Sequence, residues 1–154
     1  MDKLSKNMLY PLIVSMIVIV SMAFGCIDTR PSNDVAVTFE QLYSNPNQYN
    51  GKEITIEGFI FLGFEIMVLS DELKDSGYAE GHLIPGEKQL WFESGIPTEI
   101  YDQLYEQSIM GFSENYGKLR VEGTFRYGQQ YGHLGIYDYQ ISPTEMELLS
   151  WSPP

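Results

Sequence analysis

The segment KLRVEGTFRY at residues 118–127 shows the most regular alternation of apolar and polar side chains in this chain. Alternation with a period of two residues is typical of a β-strand that buries one face and exposes the other. The apolar face would carry Leu119, Val121, Phe125 and Tyr127. The segment therefore predicts a strand in a domain built mainly of β-sheet.

Similar patterns on either side of this segment predict further strands. Residues 52–61 alternate after an Asn50-Gly51 turn and place Ile54, Ile56 and Ile60 on one face. A second run, residues 64–70, is apolar on both faces, as expected of a central strand. The remaining predicted strands are residues 89–93, 137–141 and, after Pro143, 146–148.

Two short helices are predicted between these strands. Thr38 is followed three residues later by Gln41, which is the pattern of a capping box, and Asn45-Pro46 ends that helix. A second helix is predicted at residues 98–108, where apolar side chains recur every four residues.

The order of elements is a helix, three strands, a second helix and two or three strands. A helix between the third and fourth strands is the layout of the OB-fold, a partly open barrel that we expect here to be antiparallel, with five to six strands. Gly58 and Gly123 each follow a Glu inside a strand, where glycine marks a bulge or a sharp bend. A small α+β sandwich with similar elements is the alternative fold.

The first part of this region resembles a known group of proteins. The strings FEQL at 39–42, NP at 45–46, QY at 48–49, GK at 51–52 and ITIEG at 54–58 are similar to the first helix and strand of OB-fold domains in small exported, N-terminally anchored archaeal and bacterial proteins and lipoproteins. The likeness covers residues 37–61 and continues through residue 149 by order of elements. It implies an OB-fold outside the cytoplasm. It carries no catalytic residue over to this chain, since most of that group has no assigned activity.

The N-terminus predicts attachment to a membrane. Residues 8–25 contain no charged side chain, and as a helix they would reach about 27 Å, close to the thickness of a bilayer core. Lys3 and Lys6 precede this run, which favours a cytoplasmic N-terminus and an extracytoplasmic domain at the cell membrane.

Two versions of this attachment are open. Cys26, the only cysteine, follows Gly25 and would be the lipidated N-terminus of a lipoprotein after cleavage of the signal peptide. Alternatively, the apolar run stays uncleaved as a transmembrane helix. The predicted organisation is a signal or anchor at residues 1–26, a polar tether at 27–36 and one domain at 37–152.

The predicted domain is strongly acidic. Residues 27–154 carry seven Lys or Arg against 20 Asp or Glu, a net charge of −13. Such a surface repels phosphate backbones, so nucleic acid is not expected as a partner. The partners expected are the membrane at the N-terminus and either an envelope protein or a small ligand.

His82 and His133 are weak candidates for a metal site. Each lies in a Gly-His-Leu string, and neither has a partner at the spacing of helical metal ligands, so a hydrogen-bonded structural role is favoured. Residues 133–137 also match the His-x-x-x-Tyr spacing of the haem chaperones of cytochrome c maturation, although here the motif runs directly into a predicted strand. A haem- or metal-handling factor is therefore the alternative function, and the primary prediction includes no cofactor.

Aromatic and amide side chains indicate a binding loop between the last two strands. Tyrosine and amide groups offer an apolar face with a polar tip, which suits sugars, peptides or a protein surface. No nucleophile elbow or phosphate loop is present, so the leading hypothesis is a non-enzymatic binding or accessory module, with a hydrolase built from surface acids as a third option. The candidate binding residues are Tyr127, Gln129, Tyr131, His133, Tyr137 and Tyr139.

Overall fold

The structure, a computed structural model, describes residues 35–154. The predicted targeting segment, Cys26 and residues 27–34 of the predicted tether lie outside the described residues. Val35 and Ala36, which were assigned to the tether, belong to the first strand. Within residues 35–154, no helix combines the length and the apolar character needed to span a membrane.

The described part of the chain is mainly β-sheet with a few short helices, as predicted. Its elements are β1 (Val35–Val37), α1 (Phe39–Ser44), α2 (Pro46–Tyr49), β2 (Glu53–Gly63), β3 (Ile66–Ser70), β4 (Leu73–Asp75), β5 (Leu83–Pro85), β6 (Gln89–Phe92), α3 (Thr98–Tyr101), β7 (Tyr105–Ile109), β8 (Phe112–Tyr131), a 3₁₀ turn (His133–Gly135) and β9 (Tyr137–Leu148).

The pairing of the main sheet follows a cycle of five strands. β2 pairs with β3, β3 with β6, β6 with β9, β9 with β8, and β8 with β2 again. The prediction of an antiparallel sheet is wrong for two pairs, because β6 and β9 are parallel and so are β1 and β2. The first exception has a simple cause: strand direction cannot alternate around a cycle with an odd number of strands, so one pair must be parallel.

The predicted helix at residues 98–108 is wrong beyond its first turn. Helix α3 ends at Tyr101, and β7 begins at Tyr105 and pairs antiparallel with β8. Met110 and Gly111, which join β7 to β8, both have positive φ, the geometry of a two-residue type I′ hairpin turn. Residues 105–108 therefore form a strand, because pairing with β8 outweighs the four-residue apolar spacing that predicts a helix there.

The capping box predicted at the first helix is confirmed. The Thr38 hydroxyl accepts a hydrogen bond from the Gln41 backbone N–H at 3.2 Å, and the Gln41 side chain accepts one from the Thr38 backbone N–H at 2.8 Å. The helix ends where Asn45 caps it and Pro46 begins α2.

The two conspicuous strand glycines have different roles. Gly123 lies at a register shift between β8 and β9, opposite Pro143, which confirms the bulge predicted there. Gly58 lies in unbroken register, and a Cβ atom on it would come within 2.9 Å of the Phe39 ring. Gly58 therefore serves the close packing of α1 on the sheet rather than a bulge.

The sheet is covered by apolar side chains on both faces. Ile60 and Phe61 are neighbours in β2 and point to opposite faces, yet both are almost fully buried. Ile60 belongs to the main core, and Phe61 belongs to a second cluster with Val68, Leu83 and Tyr116. The β4–β5 hairpin, through Leu83, thus covers part of the outer face of β2 and β3.

Candidate functional site

Three connections between strands meet at the β2–β3 turn. The ring of Phe64 in this turn contacts the ring of Phe112 at the start of β8, with centroids 4.9 Å apart. The carboxylate Oε2 of Glu65, the other turn residue, lies 3.2 Å from Nε2 of His133 in the β8–β9 connection. The β2–β3, β7–β8 and β8–β9 connections are therefore held together at one end of the sheet.

These connections expose large apolar side chains. The exposed fractions are 92% for Met110, 83% for Leu134, 70% for Ile136, 65% for Phe64 and 49% for Phe112. We call these five residues the tip surface. Single exposed apolar residues are common on proteins, but a group of them on adjoining connections is typical of an interaction site.

The backbone at the tip surface is strained. Among residues 35–154, the non-glycine residues with positive φ are Glu65 at 60°, Met110 at 52° and Leu134 at 56°, one in each of the three connections. Such a conformation costs about 1 to 3 kcal/mol for a residue with a large side chain. A turn selected only for folding would favour Asn or Gly at these positions.

The charge around the tip surface is negative. The three connections and their flanks, residues 62–66, 105–115 and 132–138, contain Glu65, Glu106, Glu114 and Asp138 but no Lys or Arg. Glu114 is turned inwards with a side chain only 14% exposed, whereas Glu106 and Asp138 are exposed. The apolar tip is therefore bordered by carboxylates.

Of the predicted binding residues, His133 lies beside the tip surface and two tyrosines lie elsewhere. Tyr127 and Tyr139 stack on each other with centroids 5.1 Å apart, and both pack against the main core. Burial raises the pKa of Tyr139, and the neighbouring Tyr127 adds to the shift, so its phenol is neutral and serves packing.

The other predicted residues lie at the end of β8 and the start of β9. Tyr137 packs on Trp91 with centroids 5.3 Å apart, and burial raises its pKa. Tyr131 is the cross-strand partner of Tyr137, and Gln129 is exposed. The tyrosines therefore face each other in two cross-strand pairs, Tyr127 with Tyr139 and Tyr131 with Tyr137.

His82 belongs to a buried polar network. Its Nε2 lies 3.0 Å from Oε2 of Glu114, which also accepts a hydrogen bond of 2.8 Å from the Gln107 amide. Gln107 in turn exchanges two hydrogen bonds with the backbone of Leu83. Nδ1 of the same ring is buried and has no hydrogen-bond partner within the described part of the chain. The network ties the β4–β5 hairpin to β7 and β8.

The two histidines lie within hydrogen-bond distance of different carboxylates, His82 of Glu114 and His133 of Glu65. Across residues 35–154, no cluster of three or more His, Cys, Asp or Glu side chains is arranged to hold a metal ion. The structure therefore does not bring these two metal candidates together.

A concave surface lies elsewhere, along β1, the start of α1 and the exposed faces of β2 and β8. It is a groove of about 590 Å³ whose cations are Lys88 and Arg120. Lys88 pairs with Glu40 at 2.9 Å and Arg120 with Glu57 at 2.9 Å, and these hydrogen bonds hold the pKa of both carboxyl groups below their usual value. Both cations of the groove are therefore paired with carboxylates of this protein.

None of the five residues of the tip surface is among the predicted binding residues. The alternation pattern places Phe64 in a strand, and the predicted helix at residues 98–108 leaves no room for the β7–β8 hairpin, whose turn is Met110-Gly111. The sequence signal for this hairpin is Met110-Gly111 between two segments of alternating polarity, since glycine at the second position suits a type I′ turn.

Comparison of the chain with models of protein families, with curated proteins and with solved structures finds no match.

Proposed function

We propose that this protein is a non-enzymatic binding or accessory module, anchored to the cell membrane by its N-terminus, whose extracytoplasmic domain docks on another envelope protein through the tip surface. The observation that carries the proposal is the combination of strain and exposure at Met110 and Leu134. Both features cost stability in the isolated domain, and both become useful when a partner covers these side chains.

We further propose that the domain is an OB-fold-like, partly open barrel. The cycle of five paired strands, with α3 between its third and fourth members, supports this assignment. In OB-folds the loops after the first and fourth strands border the binding face. The corresponding connections here are the β2–β3 and β8–β9 connections, which the contact between Glu65 and His133 joins.

The membrane part of the proposal rests on sequence alone. The uncharged run at residues 8–25 and the position of Cys26 support either a lipid-modified Cys26 or an intact spanning helix. Intact mass of protein extracted from membranes distinguishes the two. A species that begins at Cys26 with an added diacylglyceryl mass indicates a lipoprotein, whereas a full-length species indicates an anchor helix. An unmodified chain found only in the soluble fraction contradicts membrane attachment.

Site-specific photo-crosslinking in native membranes tests the docking surface. A photoreactive phenylalanine analogue at position 110 or 134 is expected to give one discrete heavier adduct that contains a second protein. The matched control carries the analogue at exposed Gln48 in α2, next to the start of β2 and far along that strand from its turn with β3. Equal adducts from position 48, or none from positions 110 and 134, contradict the proposal.

A further inference from the structure

The tip surface combines two properties that together restrict the chemistry of its partner. Its five side chains are apolar and exposed, and the ionisable groups at its border are carboxylates and one histidine. The wider domain has the same sign, because residues 35–154 carry 18 Asp or Glu and only six Lys or Arg. A partner must therefore approach through a negative potential before it covers the apolar side chains.

We propose that the tip surface binds a protein partner whose contact face is apolar at its centre and ringed by Lys or Arg. This inference rests on the proposed function and adds the partner's charge. The apolar centre supplies affinity when it is desolvated, and the opposite charges at the border steer the encounter and exclude acidic surfaces.

The same charges disfavour the surface of an anionic bilayer. Apolar side chains on loops can enter a membrane, but such sites generally combine them with Lys or Arg that meet the lipid headgroups. The nearest acids, Glu65, Glu106 and Asp138, would face those headgroups instead. Glu65 lies 3.2 Å from His133, and Glu106 accepts a hydrogen bond of 2.7 Å from Ser113, so both carboxylates have a partner on a neighbouring connection or strand.

The test uses the full-length chain held in nanodiscs of zwitterionic lipid and a labelled synthetic peptide. The peptide forms a helix with a leucine face ringed by lysine, and a matched peptide has serine in place of leucine and the same charge. Fluorescence anisotropy, corrected with empty nanodiscs, measures the affinity for each peptide. We expect binding of the leucine peptide at least about tenfold tighter than that of the serine peptide.

Two sets of variants separate the apolar centre from the charged border. M110N/L134N leaves the net charge unchanged and is expected to remove the preference for leucine. E65Q/E106Q is expected to weaken binding and to reduce its dependence on salt, while Gln48→Ala changes neither. Equal binding of the two peptides, or an affinity unaffected by M110N/L134N, overturns the proposal.

A second experiment tests whether the tip surface binds a lipid bilayer instead of a protein. Flotation of the nanodisc-held chain with vesicles of phosphatidylcholine, with or without phosphatidylglycerol, is expected to be absent. Flotation that M110N/L134N abolishes would assign the tip surface to a membrane and overturn the inference. If crosslinking in native membranes captures a partner whose binding ignores E65Q/E106Q, the proposed function stands and only the charge requirement fails.

Discussion

Tyr43 on α1 and Tyr139 on β9 stack with ring centroids 4.2 Å apart and planes inclined by 23°. The Tyr43 hydroxyl also donates a hydrogen bond to the Gln89 carbonyl at 2.9 Å and accepts one from the Gln89 N–H at 2.6 Å. One phenol therefore joins the first helix to both strands of the parallel pair, β6 and β9. This helix is held on the sheet by an aromatic contact and two hydrogen bonds to backbone.

The stability of the domain is expected to fall in alkali because of Tyr43. Burial raises its pKa from 10.0 to about 12, so the folded state keeps the phenolic proton after the unfolded state has lost it. The contribution of this phenol is fully present below pH 10 and is lost as the pH rises from 10 through about 12.

Urea unfolding of the full-length chain in mild detergent, followed between pH 8 and pH 11.5, measures this loss. Tyr43→Phe is expected to be less stable than wild type at pH 8, because it lacks the two hydrogen bonds to Gln89, and the difference should narrow above pH 10. Tyr78→Phe is the matched control, since Tyr78 is 78% exposed. A difference between wild type and Tyr43→Phe that stays constant with pH contradicts the assignment.

Relief of strain at the tip surface is expected to stabilise the fold. Met110→Asn should raise the free energy of unfolding by about 1 kcal/mol, because asparagine tolerates positive φ better than methionine. Met110→Ala is the matched control: it also removes the exposed side chain but keeps the strain, so no comparable gain is expected. Equal effects of Asn and Ala in urea unfolding would show that backbone strain is not the cause.

The bulge at Gly123 is expected to require glycine. A Cβ atom there would lie 2.5 Å from the Ser142 carbonyl oxygen and 2.8 Å from the Pro143 Cα, and backbone atoms cannot move aside as a side chain can. Gly123→Ala should therefore cost about 2 kcal/mol or more of unfolding free energy. Gly95→Ala, where no atom lies within 4 Å, should be neutral within about 0.5 kcal/mol. A stable Gly123→Ala variant would mean that the bulge can relax.

The buried pair of His82 and Glu114 is expected to couple strongly in a double-mutant cycle. His82→Leu and Glu114→Leu each leave a buried polar partner without its hydrogen bond, so the double variant should be less destabilised than the sum by about 1 kcal/mol or more. The control cycle uses the more exposed pair of Lys118 and Glu57, 33% and 45% exposed and 3.5 Å apart, whose coupling should stay below about 0.5 kcal/mol. Similar coupling energies in the two cycles would contradict a stabilising role for the hydrogen bond between His82 and Glu114.

Local patterns predicted the strands because burial on one face leaves a period of two in the sequence. Ile54, Ile56 and Ile60 are buried as their alternation indicated, and Thr38 caps α1 as its spacing to Gln41 indicated. The failures concern positions where distant pairing decides. Tyr105 enters a strand because β8 extends alongside it, which no local window contains.

The candidate site was only partly predictable for the same reason. His133 was identified because histidine is chemically conspicuous, but its partner Glu65 lies on another hairpin far away in the sequence. Met110 has no charged or reactive group, so the turn that Met110-Gly111 suggests does not by itself mark it as a binding residue. Its interest arises only from its φ and its exposure, both of which require the folded backbone.

The cycle of strands also determines when this chain can fold. Ile54 pairs with Gly123 about 70 residues later, and Trp91 pairs with Gln140 about 50 residues later. Contacts of such long range slow folding to milliseconds or seconds, because loop closure is needed before they form. The cycle cannot close until β9 has been synthesised, so a chain that crosses the membrane during its synthesis would do so before its full set of strand pairs can form.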